Sequence, residues 1–395
     1  MKKIKINGTG CSLVDYVYLG IDFSSDIFRK YASKKDGDGG ISPGKLVFTE
    51  EFEAFSAKKF SEVLTELTAS EDPDSINIGG PSIVALIHAA QLLYNNNTEV
   101  SFYGYCGDDK TSEFLFEALQ KTPINIQNYK KTRGHTPYTM VLSDPNYNNG
   151  EGERAFVNNI GAAWNFNPES LSSDFFDADI ILYGGTGLVP NIHDKLHLLL
   201  KKGRGKGGFS IVSTVYDFRN EKLNPGKSWP LGDSELSFPL IDLLITDHEE
   251  ALRISGQKYL DKAAAYFIDN GISAFIITNG AQNISIFSNG EKFQELSLME
   301  LPVSEAVTID LQKDTGGDTT GCGDNFVGGV LTSIAMQFDK KKMDLVEAAS
   351  WGIASGGLAC FYLGGTYFEE GSGEKFKKVS DYYKKFKKQN WKKEA

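Results

Sequence analysis

The sequence predicts an α/β fold: a doubly wound, mostly parallel sheet flanked by helices, with a second, small β-sheet. Apolar, strand-like runs alternate with segments of helical periodicity over most of the chain, which is the pattern of consecutive βαβ units. Several short strand-like segments in the first half are separated by turn-rich sequence instead. These segments favour a second, smaller β layer beside the main sheet.

Four apolar runs in the second half supply the main strands of this prediction. Each ends in small or polar residues, and helix-like sequence follows several of them. The runs are Ile180–Tyr183, Phe209–Ser213, Ile241–Ile245 and Ala274–Thr278. In parallel sheets of this kind, ligands bind at the carboxyl ends of the strands. Asp217, Asp247 and Gly280 follow three of these runs and are therefore candidate site residues on topology alone.

The small β layer is expected to draw its strands from about 12–20, 99–106 and 136–160. In an enzyme that transfers a group, such a layer can act as a lid. A lid closes over the reaction centre and excludes water, which competes with other acceptors for the transferred group. The segment 24–75 fits neither layer, since it contains a glycine-rich loop followed by partly helical sequence. Because no repeat or clean linker divides the chain, we predict a single domain over 1–395.

Composition excludes several classes of protein. The net charge of −11 argues against general nucleic-acid binding. No apolar run approaches the roughly 18 residues that span a bilayer, so no membrane partner is expected. The four cysteines stand far apart without a Cys-x-x-Cys pair, which is neither a zinc pattern nor a disulfide framework. We therefore expect reduced thiols and a cytoplasmic location.

The most informative segment is Gly321-Cys322-Gly323-Asp324, which opens a stretch of helical periodicity. Glycines let the backbone approach a ligand closely, and the first amides of a helix can hold an anion. A carboxylate here repels phosphate, but it can take a proton from a hydroxyl that attacks the phosphate. The segment indicates phosphoryl transfer to an alcohol, with Asp324 as the base and the amides of 321–324 as the anion hole. In the alternative interpretation, Asp324 is only an N-terminal charge that favours the helix dipole.

The wider run Asp318–Asp324 resembles the Asp-Thr-x-Gly-Ala-Gly-Asp signature of the PfkB (ribokinase-like) sugar kinase family, with Cys322 in place of the usual alanine. The resemblance implies a ribokinase-like fold and a kinase that uses ATP and Mg²⁺ to phosphorylate a hydroxyl of a sugar or sugar-like small molecule. Asp318 and Thr320 match positions near a monovalent-cation site, which implies K⁺ as a further cofactor. The resemblance also implies a homodimer joined through the lid, which is the small β-sheet. Residues 24–75 are an insertion that is atypical of the family.

The residues expected to bind the acceptor also follow from the resemblance. Asp15 matches an early aspartate that binds sugar hydroxyls, for which a carboxylate is a strong acceptor. Gly79 and Gly80 resemble a Gly-Gly loop whose backbone lies close to the sugar. Val84 replaces an asparagine that helps bind substrate hydroxyls, which leaves the acceptor open. Arg154 resembles a lid residue that faces the substrate, where it would meet a carboxylate or a phosphate.

A second set of residues resembles the family's nucleotide and metal site. Glu250 matches the glutamate that organises Mg²⁺, in an Asn-x-x-Glu motif, through water. Asp247 replaces the asparagine of that motif, and its charge implies a difference in metal handling or in phosphate-donor preference. Thr278 and Gly280 resemble a Thr-x-Gly segment that contacts nucleotide phosphates.

Two other functions remain open from the sequence. The missing asparagine and the many aromatic residues are also consistent with a nucleoside kinase of the same fold. The departure at Asp247 is consistent with a sugar- or nucleotide-binding sensor that has no catalytic activity.

Overall fold

The computed structural model describes residues 2–35, 37–68, 72–150, 152–313 and 317–391. Gly316, which precedes the signature run, lies outside the described residues, as do residues 36, 69–71 and 151 of the segments discussed above. The strands of the described residues are β1 (Ile4–Gly10), β2 (Leu13–Tyr18), β3 (Leu46–Phe48), β4 (Ser75–Gly79), β5 (Thr98–Cys106), β6 (Asn125–Lys131), β7 (Tyr138–Asp144), β8 (Glu153–Asn159), β9 (Ile180–Gly184), β10 (Phe209–Ser213), β11 (Leu243–Asp247), β12 (Ala274–Thr278), β13 (Ile284–Ser288) and β14 (Leu296–Leu301).

The helices vary from single turns to more than four turns. They are α1 (Asp26–Tyr31), α2 (Thr49–Ser56), α3 (Phe60–Thr68), α4 (Pro81–Leu92), α5 (Lys110–Leu119), α6 (Tyr147–Gly150), α7 (Ser173–Phe176), α8 (Pro190–His193), α9 (Leu196–Gly205), α10 (Phe218–Leu223), α11 (His248–Ser255), α12 (Leu260–Asp269), α13 (Glu305–Leu311), α14 (Cys322–Gln337), α15 (Leu345–Ala359) and α16 (Glu374–Trp391). None of the described helices is both long and apolar enough to cross a bilayer.

The larger sheet has nine strands in the order β14-β13-β12-β11-β10-β9-β1-β5-β6. Neighbouring strands pair in parallel from β12 to β6, whereas the β12–β13 and β13–β14 pairs at one edge are antiparallel. Successive residues of a strand point to opposite faces, and β9 shows this clearly. Ile180 and Leu182 belong to one buried core, whereas Ile181 and Tyr183 belong to a second core on the other face. The predicted doubly wound, mostly parallel sheet is therefore confirmed.

The prediction that 99–106 belongs to the small layer is wrong. This segment is β5 of the larger sheet, where it pairs in parallel with β1 on one side and with β6 on the other. Val100 and Phe102, which share one face, and Tyr103, which points to the other, are all buried. A strand covered on both faces is expected within a parallel sheet. A short, strand-like sequence does not by itself tell which of the two sheets it joins.

The small sheet has five strands in the order β3-β8-β7-β2-β4. The segments 12–20 and 136–160 supply β2, β7 and β8, as predicted. Two further strands were not foreseen: β3 lies within the segment 24–75, and β4 begins at its end. The inserted segment therefore supplies the edge strand β3 and leads into β4 at the opposite edge.

The inserted helices α1, α2 and α3 cover the outer face of the small sheet. They form a separate hydrophobic core with residues of the small sheet. The strand residues in this core are Tyr18, Val47, Leu142, Ala155 and Val157, and the principal helix residues are Phe28, Tyr31, Phe52, Phe60, Val63 and Leu64. A homodimer joined through this face would have to displace these helices.

Three long helices position the signature run. Helix α14 packs against α4 and α15, and all three are apolar on nearly every side, as expected of helices inside a domain. Gly328 permits close approach to α4, because a Cβ there would lie 2.6 Å from Cβ of His88. Gly329 does the same for α15, because its Cβ would lie 2.4 Å from Oγ of Ser355. The N-terminus of α14 is thereby fixed relative to both neighbours.

Candidate active site

The signature turn, residues 318–324, leads directly into α14. Gly321 is the residue before the helix and has a φ of 74°, in the left-handed region that favours glycine. A Cβ at this position would also lie 2.4 Å from Cα of Gly365, so the turn packs tightly on residue 365. The Cys322 amide donates over 3.3 Å to the Thr319 carbonyl oxygen. Gly323 is exposed, and a Cβ there would meet nothing within 4 Å, so a ligand has room to approach its backbone.

Asp324 lies in the first turn of α14 and is half-buried. Burial raises the pKa of its carboxyl group to about 7, because desolvation disfavours the charged form. Its charge also raises the pKa values of Asp15 and Cys11, near the other end of the chain. The fold therefore brings together two carboxyl groups that are far apart in the sequence.

Asp15 extends from β2 of the small sheet and is 8% exposed. Burial is the main cause that raises its pKa to about 7, followed by the charges of Asp324 and Asp318, while Arg154 opposes the shift. Gly79 on the adjacent strand β4 makes room for this carboxyl group, because a Cβ there would lie 2.0 Å from Asp15 Oδ2. The predicted pairing of Asp15 with the Gly-Gly loop thus has a steric basis.

Gly80 begins the approach to α4 with a φ of 102°. A Cβ there would lie 2.8 Å from the carbonyl oxygen of Cys11. Both glycines therefore hold the backbone of this loop against the chain between β1 and β2. Val84, four residues further on, is buried and faces the 364–365 turn, with its Cγ2 3.2 Å from the position of a Gly365 Cβ.

Arg154 joins the small sheet to the signature turn. From β8, its guanidinium donates hydrogen bonds to Oγ1 of Thr320 and, over 2.9 Å, to Oγ1 of Thr319. It also lies 4.0 Å from Asp318 Oδ2. Asp318 in turn accepts from the backbone N and from Oγ1 of Thr320, over 2.8 and 3.1 Å. A positive side chain therefore already offsets the Asp318 carboxylate where a monovalent cation was expected.

A cavity of about 450 Å³ lies between the small sheet and the signature turn, within the size range of small-molecule pockets. Apolar and polar groups share its lining, among them Val17, Leu19, Leu363, Ser75, Ser143, Arg154 and Asp318. Asp15 and Asp324 are not among the described residues that line it, although Arg154 and Asp318 influence Asp15 electrostatically. The cavity thus adjoins the carboxyl pair through Arg154 and Asp318.

The second predicted group lies at the carboxyl ends of β11 and β12. Asp247 and Thr278 are paired residues of these neighbouring strands, and Gly280 follows with a φ of 54°. Asp247 caps α11: its Oδ1 accepts from the Glu250 backbone N over 2.8 Å, and the Glu250 side chain completes a capping box. Asparagine and aspartate cap helices about equally well. Capping therefore tolerates the aspartate in place of the asparagine.

Glu250 is buried beneath this cap. Burial, followed by the charge of Asp247, raises the pKa of its carboxyl group to about 8. Its Oε2 accepts hydrogen bonds from the hydroxyls of Thr214 and Thr246. No group of three or more His, Cys, Asp or Glu side chains suited to a metal occurs among the described residues.

Asn325, directly after Asp324, was missed from the sequence. Its Nδ2 donates to the carbonyl oxygens of Gly321 and Gly365, both over 2.8 Å. Its Oδ1 accepts from the Tyr362 hydroxyl and from Nζ of Lys375, both over 3.0 Å. The side chain therefore ties the signature turn to the loop after α15 and to the C-terminal helix.

Lys375 was missed as well, because its helix carries many solvated lysines. It is 1% exposed, and burial lowers the pKa of its ammonium group to about 7. The available signal was its helical register, since Lys375, Val379 and Phe386 are spaced by four and seven residues and share the buried face of α16.

Comparison with known proteins decides the family. The model of the pfkB family carbohydrate kinases matches residues 74–370. The chain belongs to this family. The match begins after β2 and after nearly all of the inserted segment 24–75.

Curated relatives and solved structures agree with this family assignment. The chain is 24% identical over 245 residues to fructokinase-2 of Oryza sativa subsp. japonica, covering 60% of this chain and 65% of the relative. It is 30% identical over 142 residues to the ribokinase of Haemophilus influenzae, covering 35% and 40%. The match thus spans less than two thirds of either relative. Aminoimidazole riboside kinase of Salmonella typhimurium is 24% identical over 269 residues, which cover 66% of this chain and 76% of that protein.

Two solved structures show the fold of the family. Adenosine kinase from Sinorhizobium meliloti has a TM-score of 0.69 and 16% identity, covering 96% of this chain and 99% of that one. An Escherichia coli protein assigned as a ribokinase II, solved with ATP and Mg²⁺, has a TM-score of 0.64 and 15% identity over the same shares. The ribokinase-like fold predicted from the signature is confirmed.

Proposed function

We propose that this protein transfers a phosphoryl group from ATP to a hydroxyl of a sugar or sugar-like small molecule. The single observation that carries this proposal is the position of Asp324. Its carboxyl group lies in the first turn of α14, and its pKa of about 7 suits a base that accepts a proton near neutral pH.

The acceptor would bind on the small-sheet side of Asp324. Asp15 supplies carboxylate oxygens for hydroxyl groups, and Gly79 and Gly80 keep that carboxylate and the backbone close together. The cavity of about 450 Å³ beside Arg154 provides the volume for a small molecule. We assign Arg154 to a contact between the acceptor or the transferring phosphoryl group and the signature turn.

The phosphoryl donor would bind along the carboxyl ends of β11 and β12. Thr278 and Gly280 would contact its phosphates, and the amides of Gly321, Cys322 and Gly323 would steady the transferring group at the start of α14. Mg²⁺ would be held by the nucleotide phosphates, with Glu250 acting through water. When bound, the ion would offset the negative charge of the phosphates. A monovalent cation at Asp318 and Thr320 would have to compete with Arg154.

A nucleoside is the second candidate acceptor. Val17, Leu19 and Leu363 give the cavity an apolar share that would suit a planar base. The buried position of Val84 also shows that its side chain packs under the 364–365 turn, so an acceptor would not meet a polar group from this residue.

The proposal is tested by measuring ATP consumption with Mg²⁺ over a panel of pentoses, hexoses and nucleosides. We expect turnover with at least one acceptor, and a loss of about 10²–10⁴-fold in Asp324→Asn with the affinity for a non-hydrolysable ATP analogue retained. Asp269→Asn, at an exposed helix end, is the matched control. Background ATP consumption with every acceptor would favour a binding protein without catalytic activity. Near-normal turnover in Asp324→Asn would exclude this residue as the base.

A further inference from the structure

Cys322 and Cys360 form a close pair of thiols beside the signature turn. Their sulfur atoms lie 3.3 Å apart, and both residues are free and half-buried. Cys322 is the first residue of α14, and Cys360 is the residue that ends α15. The other two cysteines, Cys11 and Cys106, are buried in the cores.

The backbones that carry the two thiols are packed together without intervening space. A Cβ on Gly317 would lie 2.1 Å from the carbonyl oxygen of Cys360, and the Asp318 amide donates to Tyr362 over 3.3 Å. On the helix side, a Cβ on Gly356 would lie 2.9 Å from the carbonyl oxygen of Cys322. The two segments therefore have little freedom to move apart and separate the sulfurs.

We propose that Cys322 and Cys360 are a reversible disulfide site, closed by a peroxide-class oxidant and reopened by a dithiol, that switches the signature turn between an active and an inactive state. The effect on turnover rests on the proposed kinase function, whereas the formation of the bond does not.

The chemistry balances with hydrogen peroxide as the oxidant. One thiolate sulfur attacks a peroxide oxygen, which forms an S–O bond, breaks the O–O bond and, with one proton, releases water. The second sulfur then attacks the sulfenic sulfur, which forms the S–S bond and expels the oxygen as a second water molecule. Two thiols lose two electrons and two protons, and one peroxide becomes two waters. Thiol–disulfide exchange with a dithiol reverses the reaction.

The proposed switch requires that closing the bond displaces the turn. A disulfide is about 2.05 Å long, so the sulfurs approach each other by more than 1 Å from their separation of 3.3 Å. Cys322 carries this displacement into the turn that contains Gly321 and Asp324. A misplacement of about 1 Å can cost on the order of 100-fold in rate when reacting groups must be aligned.

The test compares the wild type with Cys360→Ala, a position outside the proposed catalytic groups, and with Cys106→Ala as a control. Each protein is treated with hydrogen peroxide, its remaining thiols are alkylated, and its peptides are mapped. We expect a linked Cys322–Cys360 peptide in the wild type and in Cys106→Ala but not in Cys360→Ala. Turnover should fall at least about 10-fold only in the two proteins that form the link. Dithiothreitol should restore it.

The mapping and the activity assay separate this proposal from the kinase assignment. If no acceptor is found, the linked peptide still reports the bond, and a changed thermal shift with a non-hydrolysable ATP analogue reports its effect on the turn. The absence of the linked peptide overturns the disulfide site. A linked peptide with unchanged turnover and unchanged analogue binding overturns the switch. Equal peroxide sensitivity in Cys360→Ala also overturns it.

Discussion

Nζ of Lys375 donates a hydrogen bond to Oδ1 of Asn325 over 3.0 Å, in a site closed to solvent. Because the oxygen of the Asn325 amide is held by fixed donors, its nitrogen must point to the carbonyl oxygens of Gly321 and Gly365. The C-terminal helix thus orients the residue next to the proposed base. Lys375 is a positioning residue, since it reaches the turn through Asn325.

Replacing Lys375 by methionine should change how stability depends on pH. The folded protein lowers the pKa of this group from 10.5 to about 7, so the unfolded chain binds more protons between these values. The wild type should therefore gain stability relative to Lys375→Met as the pH rises from 7 to 9, by at most about 1.4 kcal/mol for each pH unit. Urea unfolding at both pH values measures this difference. Lys377→Met, on the exposed side of α16, should show no such change, and a parallel pH dependence in Lys375→Met would refute the prediction.

The pH profile of turnover should report Asp15 and Asp324, since the pKa values of both carboxyl groups are raised to about 7, and Asp324 is the proposed base. Its pKa of about 7 means that the ionised base becomes populated only as the pH rises through neutrality, so kcat/KM should increase over this range and level off above about pH 8. Stability should respond in the opposite sense. The folded pKa lies above that of the unfolded chain, so the native state binds more protons between pH 4 and 7, and this group disfavours the native state as the pH rises. An acid limb near pH 4 in the kinetic profile would contradict the raised pKa.

Arg154 should affect acceptor binding through its hydrogen bonds and the pKa of Asp15 through its charge. Arg154→Met removes both hydrogen bonds to the signature turn and the charge that opposes the raised pKa of Asp15. We expect the KM of the acceptor to rise about 10-fold and the acid limb of kcat/KM to move to higher pH. Arg154→Lys keeps the charge but not the planar fork. Arg154→Lys should therefore return the acid limb of kcat/KM to its wild-type position but leave the KM of the acceptor raised. If the acid limb and the KM both returned to wild-type values, only the charge of residue 154 would matter.

Asp247 offers a comparison between capping and charge. Asp247→Asn retains a side chain that can cap α11 and removes the charge that raises the pKa of Glu250. Its free energy of unfolding at pH 7 should match or exceed that of the wild type. Asp247→Ala should lose about 1 kcal/mol, because the backbone amide of Glu250 loses its acceptor. Urea unfolding of the three proteins decides the point, and an Asn variant as unstable as the Ala variant would remove the capping explanation.

The sequence was sufficient for most of the larger sheet and for the signature turn. Runs such as Ile180–Tyr183 and Ala274–Thr278 are apolar because both faces are covered, which makes them recognisable without long-range information. The glycines and the acidic residue of 321–324 also carry a local signal, because helix starts of this kind have few sequence solutions.

The parts that were missed depend on contacts between distant segments. The segment 99–106 was placed in the wrong sheet because its own sequence does not tell which strands flank it. The burial of Lys375 depends on Asn325 and Gln91, 50 and 284 residues away. The contact between the thiols of Cys322 and Cys360 likewise arises only when the ends of α14 and α15 meet.

The helices of the inserted segment already cover one face of the small sheet. Deleting the segment would expose Tyr18, Leu142 and Val157 in one contiguous patch. Exposed apolar patches on a sheet promote aggregation or binding to an unintended partner. A shortened version of the chain should therefore be hard to keep in solution, even though residues 24–73 lie outside the family match.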